Sequence, residues 1–128
     1  MKAGARKSMR SGVTSKRRRS AAAGSRRAAP VFAALGDETR LYIVSSLSAG
    51  GPMSIVALTT GSGVTRQAVT KHLQVLLHAG VVRLHRFGRE TRWELDREPL
   101  DAARDSLDRI ATQWDDALGR LKAFVESG

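Results

Sequence analysis

The chain has 128 residues, of which 41% are hydrophobic and 27% are charged, and this supports one domain with a hydrophobic core but not two. Cysteine is absent, which excludes disulfides, thiolate metal sites and a cysteine nucleophile and fits a reducing compartment. The longest apolar runs fall far short of the roughly 20 residues of a membrane-spanning helix, so no membrane association is predicted.

The positive charge is concentrated at the N-terminus. Lys and Arg number 22 against 12 Asp and Glu, giving a net charge of +10. Ten of the basic residues and none of the acidic ones lie in residues 1–27, so the remainder of the chain is balanced. The overall charge is therefore weak evidence for nucleic-acid binding by the folded part, which must be judged from where its own charges lie.

Residues 1–27 are mostly Ser, Gly, Ala, Lys and Arg, and so few large apolar side chains predict a disordered basic tail before a domain at residues 28–128. Several interpretations of this tail stay open. It is a solvated extension, an upstream addition before a true start at Met9, or an arm that engages DNA. Its composition also resembles an organelle transit peptide.

Four helices are predicted between Pro30 and Gly80. Asp37, Ser54 and Thr65 are suited to cap the second, third and fourth helices, and Gly36 and Gly80 are typical stops. The four helices are expected over residues 30–35, 38–47, 55–60 and 65–78. In the second helix the expected buried stripe consists of Leu41, Val44 and Leu47.

After Gly80 the apolar period changes from helical to alternating, which predicts a two-stranded hairpin that turns at Gly88. A last helix is expected from about Leu100, with Pro99 in its first turn. Its apolar side chains recur every three and four residues, a spacing that requires a partner helix.

Two short helices joined by a glycine-containing turn and followed by a basic hairpin are typical of a helix-turn-helix with a wing. The predicted fold is therefore mainly α with a small β-hairpin: a winged helix-turn-helix of five helices and a two-stranded wing, preceded by a disordered basic tail. The fourth helix is the candidate for insertion into a DNA major groove. Its outward side chains carry suitable groups, since Gln pairs with adenine and Arg with guanine. The predicted DNA-binding residues are Thr65, Arg66, Gln67, Thr70, Lys71, His72, Gln74, Arg86, Arg89 and Arg92.

Three segments carry a resemblance to a known family. They are LGDETRLYIV from Leu35, the Val-Thr-Lys-His-Leu helix that follows Thr65, and the Leu-x-x-Ala-Gly-Val-Val-Arg segment from Leu76. The run from Phe32 to about Leu95 resembles the ArsR/SmtB-type winged-helix transcriptional repressors, and the terminal helix resembles the branch without metal-binding cysteines. This resemblance implies a homodimeric repressor whose first and last helices build the dimer. The expected interface comprises Val31, Phe32, Leu35, Leu100, Ala103, Leu107, Ile110, Trp114, Ala117, Leu121 and Phe124.

Many members of that family sense metals through cysteines or through Asp and His on the terminal helix. This chain has neither pattern, and the spacing of His72, His78 and His85 does not converge on one ion. No metal site and no cofactor are predicted. An enzyme is not predicted either, because no phosphate loop, metal triad or activated nucleophile is present.

The sequence thus predicts a sequence-specific regulator, a homodimeric repressor on a pseudo-palindromic operator in double-stranded DNA. Its expected location is the cytoplasm of a bacterium, where DNA binding would associate it with the nucleoid. Three alternatives stay open: non-specific nucleic-acid binding by the tail, a metal-responsive repressor, and a winged-helix dimer that binds protein. The sequence does not indicate an inducer.

Overall fold

Five helices and one two-stranded hairpin make up the part of the chain that the computed structural model describes, residues 12–127. This confirms the predicted fold class in its helix count and its wing. In chain order the elements are α1 (Gly12–Leu35), α2 (Glu38–Gly50), α3 (Ile55–Thr59), α4 (Arg66–His78), β1 (Val82–Phe87), β2 (Glu90–Leu95) and α5 (Arg97–Ser127).

Helix α1 begins at Gly12 instead of Pro30, which corrects the prediction of disorder for residues 12–27. Residues 1–11 lie outside the described part of the chain. Two physical reasons explain the difference. Ala, Arg and Lys are good helix formers, and small side chains continue the buried face toward the N-terminus. That face is formed by Gly24, Ala28, Val31 and Ala34.

Side-chain caps begin the next three helices as the sequence predicts. The side chains of Asp37, Ser54 and Thr65 each accept a hydrogen bond from the backbone amide three residues later, at 3.0, 3.2 and 3.1 Å. Each cap satisfies an amide that the first turn of a helix leaves without a partner. Gly80 follows α4 with φ of +78°, a conformation that ends the helix and that side chains with a Cβ rarely adopt.

The hairpin and its turn at Gly88 are present as predicted. Val82 pairs with Leu95 and Leu84 with Trp93, so the apolar side chains share one face, and Gly88 turns the chain with φ of +61°. A backbone bridge to Met53 was not predicted. The amide of Met53 donates to the carbonyl of Trp93 at 2.9 Å, and the reverse hydrogen bond is 2.8 Å long. The base of the wing is thereby fixed to the segment before α3.

The core lies where α2, α4 and the start of the hairpin meet. Ile43, Val69, Leu73 and Leu76 are wholly buried there. The predicted burial of Leu41 is wrong, because its side chain is 52% exposed. The core face of α2 consists of Ile43, Val44 and Leu47, and Leu41 lies about 160° around the helix from Ile43.

Helices α1 and α5 run antiparallel. Val31 and Pro99 border one cavity, whereas Gly24, two turns earlier in α1, lies under the guanidinium of Arg109 further along α5. Beyond Ser106 no side chain of α5 is buried in the described residues. None of the described helices combines the length and the apolar character that crossing a membrane requires.

Candidate nucleic-acid interface

The outer face of α4 carries the predicted base-reading side chains. Arg66, Gln67, Lys71 and Gln74 are all exposed, while the apolar side of the same helix enters the core. No acidic residue occurs in α4. The face therefore offers amide and guanidinium groups under a positive charge, which is the chemistry that base edges and phosphates require.

The two threonines of this region are engaged in local hydrogen bonds. Thr65 accepts from the amide of Ala68 as the helix cap, and the hydroxyl of Thr70 donates to the carbonyl of Arg66 at 2.8 Å. Thr65 stays exposed and Thr70 is half-buried. Because the N-terminus of a helix attracts anions, Thr65 is placed to meet a phosphate, whereas Thr70 offers mainly its methyl group and its oxygen lone pairs.

His72 lies apart from the other predicted contacts. It is roughly half a turn around α4 from Thr70 and from Gln74, so it faces the α1–α2 corner. There its Nδ1 lies 3.2 Å from Nη1 of Arg40 and 3.7 Å from Oδ2 of Asp37. The structure therefore does not bring His72 to the outer face of α4 with the other side chains.

The arginines of the wing differ in their surroundings. Arg92 is paired with Glu90 at 3.1 Å, and its guanidinium lies 4.7 Å from the ring centroid of Phe87. Arg86 and Arg89 are exposed and have no carboxylate within ion-pair distance among the described residues. Arg86 only donates to the carbonyl of Gly88 at 3.3 Å. Of the three predicted wing contacts, Arg86 and Arg89 thus keep their full charge for a phosphate.

Glu94 also reduces the positive charge of the wing. Its carboxylate accepts from Nε of Arg83 at 2.9 Å and lies 3.2 Å from Nδ1 of His85. This pairing follows from the strand register, in which Arg83 lies directly opposite Glu94. Sequence spacing alone does not reveal such a cross-strand pair until the register of the hairpin is known.

Asp37 and Arg40 were not predicted as site residues, although Asp37 was predicted as a helix cap. The backbone amide of Arg40 donates to Asp37 and, with the nearby charge of the Arg40 guanidinium, holds the pKa of this carboxyl below its ordinary value of 3.8. A side chain that reaches another helix leaves no short-range sequence signal, so nothing in the sequence indicated Arg40.

The residues expected at a dimer interface fall into two groups. Val31 and Ala103 are buried in the protomer itself, and Phe32, Leu35, Leu100 and Ala117 are half-buried. The other five are exposed along α5 beyond Ser106, and Leu118 and Val125, which were not predicted at the interface, are exposed on the same face. We call this set the α5 stripe, and it consists of Leu107, Ile110, Trp114, Leu118, Leu121, Phe124 and Val125.

No group of three or more metal-ligating side chains comes together in residues 12–127. His72 and His85 are each directed at an acidic partner instead, Asp37 and Glu94. The described residues thus offer no ligand set to which a transition metal could be assigned.

Comparison with known proteins agrees with this geometry. Residues 35–85 match a family model for a helix-turn-helix domain. The chain is 37% identical to the HTH-type transcriptional regulator Rv2034 of Mycobacterium tuberculosis over 94 residues, which cover 73% of this chain and 84% of that protein. The structure of an ArsR-like transcriptional regulator from Rhodococcus sp. RHA1 is 38% identical, with a TM-score of 0.66, and the match covers 77% of this chain and 92% of that one. This chain belongs to the ArsR-type family of helix-turn-helix transcriptional regulators.

ArsR-type regulators act by binding DNA and are not enzymes, in agreement with the prediction from the residues. A further match is the solution structure of the homodimeric winged helix-turn-helix DNA-binding domain of Mb0332 from Mycobacterium bovis, a fragment of a possible ArsR-family transcriptional regulator. It is 27% identical with a TM-score of 0.55, and the match covers 77% of this chain and 88% of that one.

Proposed function

We propose that this ArsR-type regulator is a homodimeric repressor that binds a pseudo-palindromic operator. The observation that carries the proposal is the outer face of α4, where Arg66, Gln67, Lys71 and Gln74 are exposed together without an acid. Gln67 is assigned to an adenine edge and Arg66 to a guanine edge, because these side chains form paired hydrogen bonds with those bases.

Phosphate contacts position the protein around these base contacts. Thr65 at the start of α4, Lys71 on its flank and Arg86 and Arg89 in the wing are assigned to the backbone of the duplex. Arg92 has a smaller part, because it is already paired with Glu90 at 3.1 Å. His72 is left out of the set, because it faces the α1–α2 corner.

The α5 stripe supports the dimer. Large apolar side chains such as Trp114 and Phe124, 64% and 77% exposed in the protomer, recur along one face of a long helix. An exposed apolar stripe of this length is typical of a helix that packs against a partner. The homodimeric Mb0332 domain supports the same assembly for this chain.

Such a dimer places two copies of α4 in successive major grooves, with half-site centres about 10 base pairs apart. Repression then follows by occlusion, since a dimer bound at a promoter excludes RNA polymerase without contacting it. The protein would act in the cytoplasm, where the DNA is.

The test is selection of duplex DNA by the purified full-length protein at about 150 mM salt, where non-specific binding is weak. We expect a two-fold-symmetric consensus. Replacement of Gln67 by Ala should relax the preference at one position per half-site, at a cost of about 1 to 3 kcal/mol. Gln113→Ala is the matched control, since Gln113 is an exposed glutamine on α5, away from α4.

Enrichment of one asymmetric site would contradict the dimer, and an unchanged base profile in Gln67→Ala would contradict the assignment of that side chain. Failure to enrich any sequence would favour the second candidate function, a non-specific nucleic-acid-binding protein. The exposed Arg18, Arg19 and Arg26 on α1 favour this candidate, because they carry positive charge far along the chain from α4.

A further inference from the structure

Arg40 touches two helices besides its own. It lies in the first turn of α2, where its backbone amide donates to the carboxylate of Asp37. Its Nε donates to the carbonyl of Ala34 in the last turn of α1. Its Nη1 donates to Nδ1 of His72 on α4 across 3.2 Å. One guanidinium thus links α1, which contributes to the proposed dimer, to α4, which reads DNA.

This link stands apart from the other polar contacts of α4. Among the described residues, the remaining side-chain hydrogen bonds of this helix are local, such as those of Thr65 and Thr70. Apart from the approach of His72 to Asp37 at 3.7 Å, α4 is held in the domain by apolar packing, chiefly of the wholly buried Val69, Leu73 and Leu76. Apolar packing fixes how deeply a helix is seated but is not directional, whereas a hydrogen bond to a planar guanidinium is.

We propose that Arg40, acting through His72, is a positioning residue that fixes the orientation of α4 relative to α1. In a dimer built on α1 and α5, this orientation sets the distance between the two copies of α4, and therefore which operator spacing fits. The inference rests on the proposed function. It adds that the selectivity for one distance between half-sites depends on the contact of Arg40 with His72, on the side of α4 that faces away from the bases.

The hydrogen bond from Arg40 to His72 determines which nitrogen of the imidazole carries the proton. Nδ1 of His72 accepts from Arg40, so the imidazole carries its proton on Nε2 when the contact is made. Asp37 accepts from the backbone amide of Arg40, and its carboxylate lies 3.7 Å from the same Nδ1. The ring is three-quarters buried and the carboxyl two-thirds buried, which limits competition from water.

The experiment measures affinity for operators whose half-sites are moved apart or together by one and two base pairs, with the full-length protein. Wild type should show a sharp optimum. Arg40→Ala and His72→Leu should reduce the preference for the optimal spacing by about tenfold, because a charge-assisted hydrogen bond that sets the geometry is lost. His72→Asn should retain most of the preference, since the amide oxygen of asparagine lies near the position of Nδ1.

Two further variants are controls, one for the loss of a positive charge and one for the case in which Arg40→Ala does not fold. Arg104→Ala removes an exposed arginine from α5 and should leave the spacing profile unchanged. Arg40→Lys keeps the charge but replaces the planar guanidinium, whose Nε and Nη1 are held at a fixed spacing, by a single nitrogen on a flexible stem, so it should flatten the profile even if Arg40→Ala does not fold. A purely structural role for Arg40 would weaken binding at every spacing by the same factor.

The outcomes separate the inference from the function on which it rests. A wild-type protein with no spacing optimum overturns the dimeric operator and the inference with it. An optimum that survives in both Arg40→Lys and His72→Leu overturns the inference alone. Flattening in these two variants with rescue in His72→Asn supports it.

Discussion

At the scale of single residues, two arginines of the wing differ in the charge that they offer to DNA, because their neighbours differ. Arg89 and Arg92 both belong to the wing, but Arg92 lies on the ring of Phe87 and beside Glu90, whereas no described carboxylate pairs with Arg89. The charge of Arg92 is partly satisfied before any DNA arrives. The wing therefore has fewer free cations than its sequence contains.

We expect Arg89→Ala to weaken binding to all duplexes alike and to lower the slope of log affinity against log salt by about one. Arg92→Ala should change this slope less, because the Arg92 guanidinium is already paired with Glu90 and contributes less to phosphate binding. The measurement is a salt titration with the selected operator and a scrambled duplex, with Arg104→Ala as the control for charge. Equal slopes for the two wing variants would contradict the difference assigned to Glu90.

The lowered pKa of Asp37 predicts how the stability of the fold changes at acid pH. Its pKa is depressed in the folded protein, so its ionised form stabilises the fold above the unfolded-state value near 3.8, and this stabilisation is lost as the pH falls through the folded-state pKa. Asn caps a helix as well as Asp but does not titrate.

The stability difference between wild type and Asp37→Asn should therefore be constant above about pH 5 and should shrink below about pH 4. Urea unfolding between pH 2.5 and 6 measures it, and Asp105→Asn is the matched control for loss of one charge from an exposed site. A difference that does not vary with pH would show that the carboxylate charge contributes nothing here.

At the scale of elements, α5 has two parts with different partners. Its first turns pack against the protomer through Ala103 and Ser106, whereas the α5 stripe lies open. The regular apolar spacing in the sequence indicated one continuous seam and gave no sign of this division. Only the packed structure shows which apolar positions the protomer itself has already covered.

Trp114→Asp should convert the dimer to a monomer, because it places an unpaired charge in the middle of the α5 stripe. Sedimentation velocity measures the mass, and binding to a single half-site measures what remains of recognition. Thr112→Asp, an equal change of charge at an exposed position off the stripe, should stay dimeric. A dimer that survives Trp114→Asp would place the interface elsewhere.

The elements whose limits were predicted correctly are those with local chemical signals. Asp37, Ser54 and Thr65 precede apolar runs as caps, and Gly80 and Gly88 occupy positive φ. These features act within one turn of the chain, so the sequence contains them. The exposed face of α4 was predicted for the same reason.

The features that were missed depend on contacts between distant parts of the chain. Helix α1 extends to Gly12 because small side chains let it pack against α5, and Leu41 turns outward because Ile43 fills the core. His72 points to Arg40, 32 positions away in the sequence. Periodicity within one helix locates an apolar face only approximately, and it does not identify a partner on another helix.

At the scale of the whole molecule, positive charge is distributed over two separate regions. One is the α4 face with the wing, and the other is the part of α1 before Pro30, whose exposed side chains include Arg18, Arg19 and Arg26. These arginines are not part of the face of α1 that packs on α5, so replacing them leaves that packing in place. The two regions can therefore be altered independently.

Simultaneous replacement of Arg18, Arg19 and Arg26 by Gln should lower non-specific affinity and reduce the salt slope by up to about three, because flexible cations release counterions without reading bases. The ratio of operator to scrambled-duplex affinity should change little. A matched triple variant at Arg97, Arg104 and Arg120 removes the same charge from α5. Collapse of the ratio in the α1 variant would mean that this helix reads sequence.

Pro30 lies within α1 and affects how this helix unfolds locally. Proline has no amide hydrogen, so the carbonyl of Arg26 receives no helical hydrogen bond and the ladder is broken at that turn. Residues before the break lie outside the core cluster and pack on α5, as Gly24 does against Arg109, whereas Val31 and Ala34 after it belong to the core. In hydrogen exchange the amides before Pro30 should exchange by local fraying of that segment, and those after it only when the domain as a whole unfolds.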